Sequence, residues 1–115
     1  MKMMLLDDNE EMVALISTIL ELENIEVVSA KFTSDPVDQI REHKPDFILL
    51  DVKLGEYNGI ELLEEIRQDP IIKNTKVFST SGFDYSEECL EKGAQGFLQK
   101  PYLPSDLLDM IKRFS

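Results

Sequence analysis

Residues 47 to 51 read Phe47-Ile48-Leu49-Leu50-Asp51. Four large apolar side chains run without a break into a carboxylate, between Lys44-Pro45 on one side and Gly55 on the other. A short apolar run bounded by turn residues is the pattern of a strand buried on both faces. Asp51 then stands at the carboxyl end of a central parallel strand, where open α/β sheets place their ligand crevice. A carboxylate there serves as a nucleophile, a metal ligand or both. The plainer reading is an Asp that caps the following turn.

The flanking chain repeats the theme. Residues 3–6 form a first buried run ending in Asp7-Asp8. Asn9 is a good N-cap, Glu10 and Glu11 suit a first helical turn, and Met12, Leu15, Ile16, Ile19 and Leu20 recur at helical spacing. Residues 25–30, with Ile25, Val27 and Val28, predict a second strand. Ser34-Asp35-Pro36 opens a second helix with Val37 and Ile40 inward, and Lys44-Pro45 closes it. After Asp51, Asn58-Gly59 turns into a third helix with Leu62, Leu63 and Ile66 inward, stopped by Asp69-Pro70. Residues 76–80 predict a fourth strand, and residues 86–91 a short helix with Gly93 as its left-handed cap. Residues 96–99 predict a fifth strand. Pro104 opens a last helix with Leu107, Leu108, Ile111 and Phe114 on one face and Lys112 and Arg113 at its end.

Strand and helix thus alternate five times. The pattern predicts an α/β fold with a doubly wound, five-stranded parallel sheet, order 2-1-3-4-5, flavodoxin-like. The 115 residues suit one domain, 1–115, and 43% hydrophobic content is enough for a core. The switch point of that order lies between the first and third strands, so Asp7, Asp8 and Asp51 converge in one crevice.

Charge narrows the function. A net charge of −11 argues against direct nucleic-acid binding or an anionic membrane surface, and favours a basic partner surface or a bound cation. No stretch approaches the ~20 apolar residues of a membrane span. The apolar start is too short for a signal peptide, and a single cysteine, Cys89, fits a reducing cytoplasm.

Three carboxylates cannot share a site fully ionised without a cation or a proton, and Mg²⁺ is the natural choice for an all-oxygen set. Taken alone, Asp7-Asp8 also reads as solvated acids at a helix start. Lys100-Pro101 ends the fifth strand at the same edge, where a lysine can hold an anion. Ser79-Thr80-Ser81-Gly82 ends the fourth, where a hydroxyl can bond a phosphoryl oxygen; ordinary turn chemistry is the alternative.

With these residues in place, the chain resembles, end to end, the receiver domain of two-component response regulators, the chemotaxis-regulator-like superfamily. Asp7-Asp8, Asp51, Asn58-Gly59, Ser81-Gly82 and Lys100-Pro101 carry the resemblance. It implies that Asp51 is the phosphorylation site, taking a phosphoryl group from the phosphohistidine of a sensor histidine kinase or phosphotransfer protein. It implies Mg²⁺ held directly by Asp8, Asp51 and the backbone carbonyl of Lys53, with Asp7 acting through water. Lys100 would neutralise the phosphoryl oxygens. Ser81 and Phe97 would be the switch that remodels a face for a downstream effector protein or fused output domain. Lys53 and Phe83 would flank the path of the hydrolytic water and set the lifetime of the aspartyl phosphate. The Lys100-Pro101 peptide is expected to be cis.

Some features depart from the family. Gly55 stands where Pro is usual, so the loop should gain freedom. The fourth helix should be short, and Leu103 gives the last helix no capping side chain. Thr80 competes with Ser81 as the switch hydroxyl. Two other functions remain open. One is a phosphatase or phosphotransferase with an Asp nucleophile, which commonly needs a second Asp at the position of Lys53. The other is a catalytically silent interaction module.

Overall fold

The computed structural model describes residues 1–115. In chain order it contains β1 (Lys2–Leu6), α1 (Glu10–Leu22), β2 (Glu26–Ser29), α2 (Pro36–His43), β3 (Phe47–Asp51), β4 (Lys53–Leu54) and β5 (Tyr57–Asn58). Then follow α3 (Gly59–Gln68), β6 (Lys76–Ser81), α4 (Ser86–Glu91), β7 (Gly96–Gln99) and α5 (Pro104–Phe114). One parallel sheet has the order β2-β1-β3-β6-β7. With the small β4–β5 hairpin set aside, this is the 2-1-3-4-5 order that the alternation implies.

Period-two alternation along the strands sorts the core into two layers. Met3 and Leu5 of β1, Phe47 and Leu49 of β3, Phe78 of β6 and Leu98 of β7 face α1 and α5, meeting Ile16, Leu20, Leu107 and Ile111. Met4, Leu6, Ile48, Leu50 and Val77 face the other way, onto α2, α3 and α4. All five residues of β3 are buried, as its unbroken apolar run requires. Each large apolar side chain so buried contributes roughly 1.5–3 kcal/mol. The registers Leu6↔Leu50 and Asp51↔Thr80 bring the strand ends to one edge.

The helix starts follow the capping logic. Asn9 accepts from the Met12 amide, Asp35 from that of Val37, and Asn58 from those of Ile60 and Glu61. Leu103 offers α5 no side-chain cap, but the Asp106 carboxylate accepts from the Leu103 N–H at 3.0 Å. The α4 helix is six residues long, as short as expected.

Several details differ from the sequence reading; β1 begins one residue earlier, at Lys2, and β2 spans only Glu26–Ser29 of the expected 25–30. Leu15, expected inward, is 54% exposed. At ~100° per residue it lies on the far side of Ile16 from Leu20, and Val13 packs in its place. The fourth strand runs one residue further, to Ser81. The loop after Asp51, expected to gain freedom from Gly55, forms the β4–β5 hairpin. Gly55, at φ +58°, takes the first position of its two-residue turn, a position that favours glycine.

Candidate functional site

Strand alternation delivers the site. Asp7 is two residues past Leu5, Asp51 two past Leu49 and Lys100 two past Leu98, so all three belong to the α1–α5 side at the carboxyl edge. Asp7 and Asp51 are buried and Asp8 is exposed. Carboxylate oxygens of the three acids lie within 4.8 Å of one another. The Lys100 Nζ donates to Asp51 Oδ2 at 2.6 Å and to Asp7 Oδ2 at 2.9 Å. Three carboxylates therefore face one ammonium.

Backbone amides hold the acids in place. Asp7 Oδ1 accepts from the Asn9 N–H at 2.9 Å and Asp51 Oδ1 from the Lys53 N–H at 3.0 Å. Asp8 Oδ2 accepts from the Gly55 N–H at 2.9 Å. Asp7 and Asp51 thus have a protein donor on both oxygens, whereas Asp8 Oδ1 has none. Burial pushes the Asp51 carboxyl above its ordinary range, against the pull of Lys100 and the Lys53 amide. Burial pulls the Lys100 ammonium down, but its bonds to Asp51 and Asp7 hold it above the ordinary lysine value.

The two candidate hydroxyls have different fates. Thr80 Oγ1 donates to the Leu98 carbonyl at 2.6 Å and is fully buried, so it is already engaged. Ser81 Oγ accepts from the Phe83 N–H at 3.2 Å. Phe97 is half-buried against the α2–α4 layer, the layer to which alternation from Val77 also assigns Ser81. At the rim, the Lys53 Nζ lies 4.8 Å from the centroid of the 62% exposed Phe83 ring. The Lys100-Pro101 peptide is cis.

Two glycines had a role that the sequence reading missed. Gly55 supplies the amide that holds Asp8. Gly59, read there only as a turn residue, is a point of close approach: a Cβ on it would lie 2.1 Å from the Asp51 carbonyl oxygen. The Gly59 N–H donates to the Val52 carbonyl at 2.7 Å. No local sequence signal marks such an approach beyond the glycine itself.

A family model described as the response regulator receiver domain matches residues 3–112. The chain belongs to this family. This receiver domain is 25% identical over 114 residues to the polar-differentiation response regulator DivK of Brucella anthropi, covering 96% of this chain and 93% of that one. It is 36% identical over 121 residues to the protein-glutamate methylesterase/protein-glutamine glutaminase of Clostridium acetobutylicum. That match covers 97% of this chain but 35% of the larger protein. Among solved structures, the chemotaxis protein CheY4 of Vibrio cholerae aligns with a TM-score of 0.86 at 25% identity, over 97% of this chain and 96% of that one. Phosphoryl acceptance is the general function of the family. The receiver domain's crevice has the all-oxygen donor set that a hard divalent cation requires, with more negative charge than Lys100 alone offsets. No helix is long and apolar enough to cross a membrane.

Proposed function

We propose that this domain takes a phosphoryl group on Asp51 from a sensor histidine kinase or phosphotransfer protein, with Mg²⁺ bound. The observation that carries the reading is the Lys100 ammonium shared between buried Asp51 and Asp7, with Asp8 beside them. Asp8, Asp51 and the Lys53 carbonyl would hold the Mg²⁺ directly, and Asp7 through water. The free Asp8 Oδ1 supports a direct role for Asp8; Asp7 and Asp51 both have protein donors on each oxygen, so their division follows from the family resemblance. Bound there, Mg²⁺ supplies positive charge to phosphoryl oxygens.

The chain's own groups do the rest. A carboxylate oxygen of Asp51 attacks phosphorus, an O–P bond forms, and the P–N bond of the donor histidine breaks with its electron pair leaving on the imidazole. The Lys53 amide fixes the Asp51 rotamer. Lys100, already at hydrogen-bond distance, places its charge where the equatorial oxygens will stand, which is most of what phosphoryl transfer needs. Burial raises the cost of the Asp51 charge, and acyl phosphate formation replaces that carboxylate charge with phosphoryl charge, which Lys100 is placed to offset.

Ser81 is the switch hydroxyl in this reading, because Thr80 is bonded to Leu98 and Ser81 shares a layer with Phe97. Movement of the pair remodels the surface of α4, β7 and α5 for a downstream effector or fused output domain. A phosphatase reading lacks support, since Lys53 stands two residues past Asp51 and faces the Phe83 ring. The test is incubation with acetyl phosphate and Mg²⁺. One phosphoryl adduct per chain supports the proposal. No adduct favours a silent module, and turnover of an added phosphoester favours an enzyme.

A further inference from the structure

The β4–β5 hairpin is too short to hold itself in place. It has two residues per strand, and an isolated two-stranded hairpin is marginal in water at best. Buried Leu54 anchors it in the core. Lys53 leans over the Phe83 ring, and the Tyr57 ring lies 6.4 Å from that of Phe32. The turn itself makes one hydrogen bond to the rest of the domain, from the Gly55 N–H to Asp8 Oδ2 at 2.9 Å.

The same short stretch also holds the second acid. The Lys53 N–H donates to Asp51 Oδ1 at 3.0 Å. Residues 53–55 therefore grip two carboxylates that come from the ends of two different strands. The Lys53 carbonyl stands between the two amides in the chain. The bond to Asp8 depends on glycine. Gly55 sits at φ +58°. Proline, usual in the family at this position, has no N–H and a φ of about −65°, so it can make neither the bond nor this turn. Asp8 is exposed, and an exposed side chain without a tether samples several rotamers. With Oδ2 held by Gly55, Oδ1 is the oxygen left open.

We propose that the hairpin and the divalent cation stabilise one another, with Gly55 as the positioning residue that holds Asp8 Oδ2 and presents Oδ1 to the metal. This rests on the metal-binding part of the proposed function and not on phosphoryl transfer. The coupling is reciprocal by linkage: the factor by which a closed hairpin tightens Mg²⁺ binding is the factor by which Mg²⁺ suppresses hairpin opening. Groups that orient a metal ligand are typically worth about 10–100-fold in affinity, and one amide on one ligand belongs at the low end. An opposing effect exists, because a cation draws charge from Oδ2 and weakens its bond to the amide. The tether prevails because the cost of ordering Asp8 is met once for both contacts.

Amide hydrogen exchange of the wild-type domain, without phosphoryl donor, reads the coupling directly. Saturating Mg²⁺ should slow exchange of the Gly55 N–H about tenfold. The Lys2 N–H, bonded to Asp46 at the opposite edge of the sheet at 2.8 Å, should not respond. Calorimetric titration gives the other side of the linkage. Gly55→Pro removes the donor and should weaken Mg²⁺ binding about tenfold. Gly55→Asn keeps the amide and tolerates a left-handed φ, so it should stay within about twofold of wild type. Unchanged or faster Gly55 exchange in Mg²⁺ overturns the coupling, whatever the proline variant does to the fold. Slower exchange with undiminished affinity in Gly55→Pro overturns the positioning role. An equal loss in Gly55→Asn assigns the effect to the turn and not to the amide, and overturns it too. A wild type that binds no Mg²⁺ overturns the metal reading and this inference together. A wild type that binds Mg²⁺ with slowed Gly55 exchange, yet accepts no phosphoryl group, overturns the phosphoryl-acceptor reading alone.

Discussion

Asp8 differs from its two neighbours by being exposed and by having one oxygen with no protein donor. With Asp8 as a direct Mg²⁺ ligand and Asp7 acting through water, Asp8→Asn should weaken Mg²⁺ binding by at least about tenfold, and Asp7→Asn less. Removing one of three crowded negative charges should also raise the Tm of the metal-free protein. Isothermal titration with Mg²⁺ and a melting curve in chelator check both; equal affinity in wild type and Asp8→Asn would contradict the assignment. Gly59 makes a different demand. Its α-hydrogen faces the Asp51 carbonyl, and a methyl at 2.1 Å has only backbone to displace. Gly59→Ala should cost about 3 kcal/mol or more in urea unfolding and disturb the Asp51 backbone. The four polar site residues at strand ends were legible because a buried apolar run and a terminal charge are both local patterns. The Gly59 and Gly55 contacts were not, because each depends on what another segment brings alongside.

In the proposed function, the elements carry the switch and the clock. In β6, alternation separates Ser81 from Thr80, a distinction that the sequence reading left open and that the Leu98 bond explains. Ser81→Ala should therefore leave phosphorylation by acetyl phosphate nearly intact while removing the phosphorylation-dependent change in Phe97 exposure, read by ¹⁹F NMR of a fluorinated Phe97. Loss of neither would return the role to Thr80 or remove the switch. The β4–β5 hairpin was not legible as a strand pair, although Leu54-Gly55-Glu56-Tyr57 contains a glycine-first turn; two residues per strand are too few to show a period. The hairpin carries Lys53 out to the Phe83 ring. A cation–π contact at an exposed site is worth about 0.5–1 kcal/mol, so breaking it corresponds to a change of roughly 2–5-fold in a rate. The Lys53→Ala, Phe83→Ala double variant should lose its phosphate faster by about that factor or more, since it also clears the water's path. Decay after donor removal, with Mg²⁺ present, gives the number. A phosphate retained as long as in the parent would refute the crowding.

At the scale of the whole molecule, five repeats of strand and helix made the architecture legible. Each repeat leaves its own apolar period, and right-handed crossovers leave few arrangements open. The one misplaced face, Leu15, lies on an outer helix whose apolar stripe is broader than its contact with the sheet. The acidic balance of −11 agrees with the proposed cation and with a basic surface on the proposed partner. All of this converges on the claim that Asp51 becomes an acyl phosphate. Borohydride reduction tests it most directly. The protein is treated with acetyl phosphate and Mg²⁺, reduced, digested and sequenced by tandem mass spectrometry. An acyl phosphate is reduced to an alcohol, so homoserine should appear at position 51, only after donor treatment, and not in Asp51→Asn. Homoserine at another aspartate, or at none while the intact protein has gained a phosphoryl group, would contradict the account.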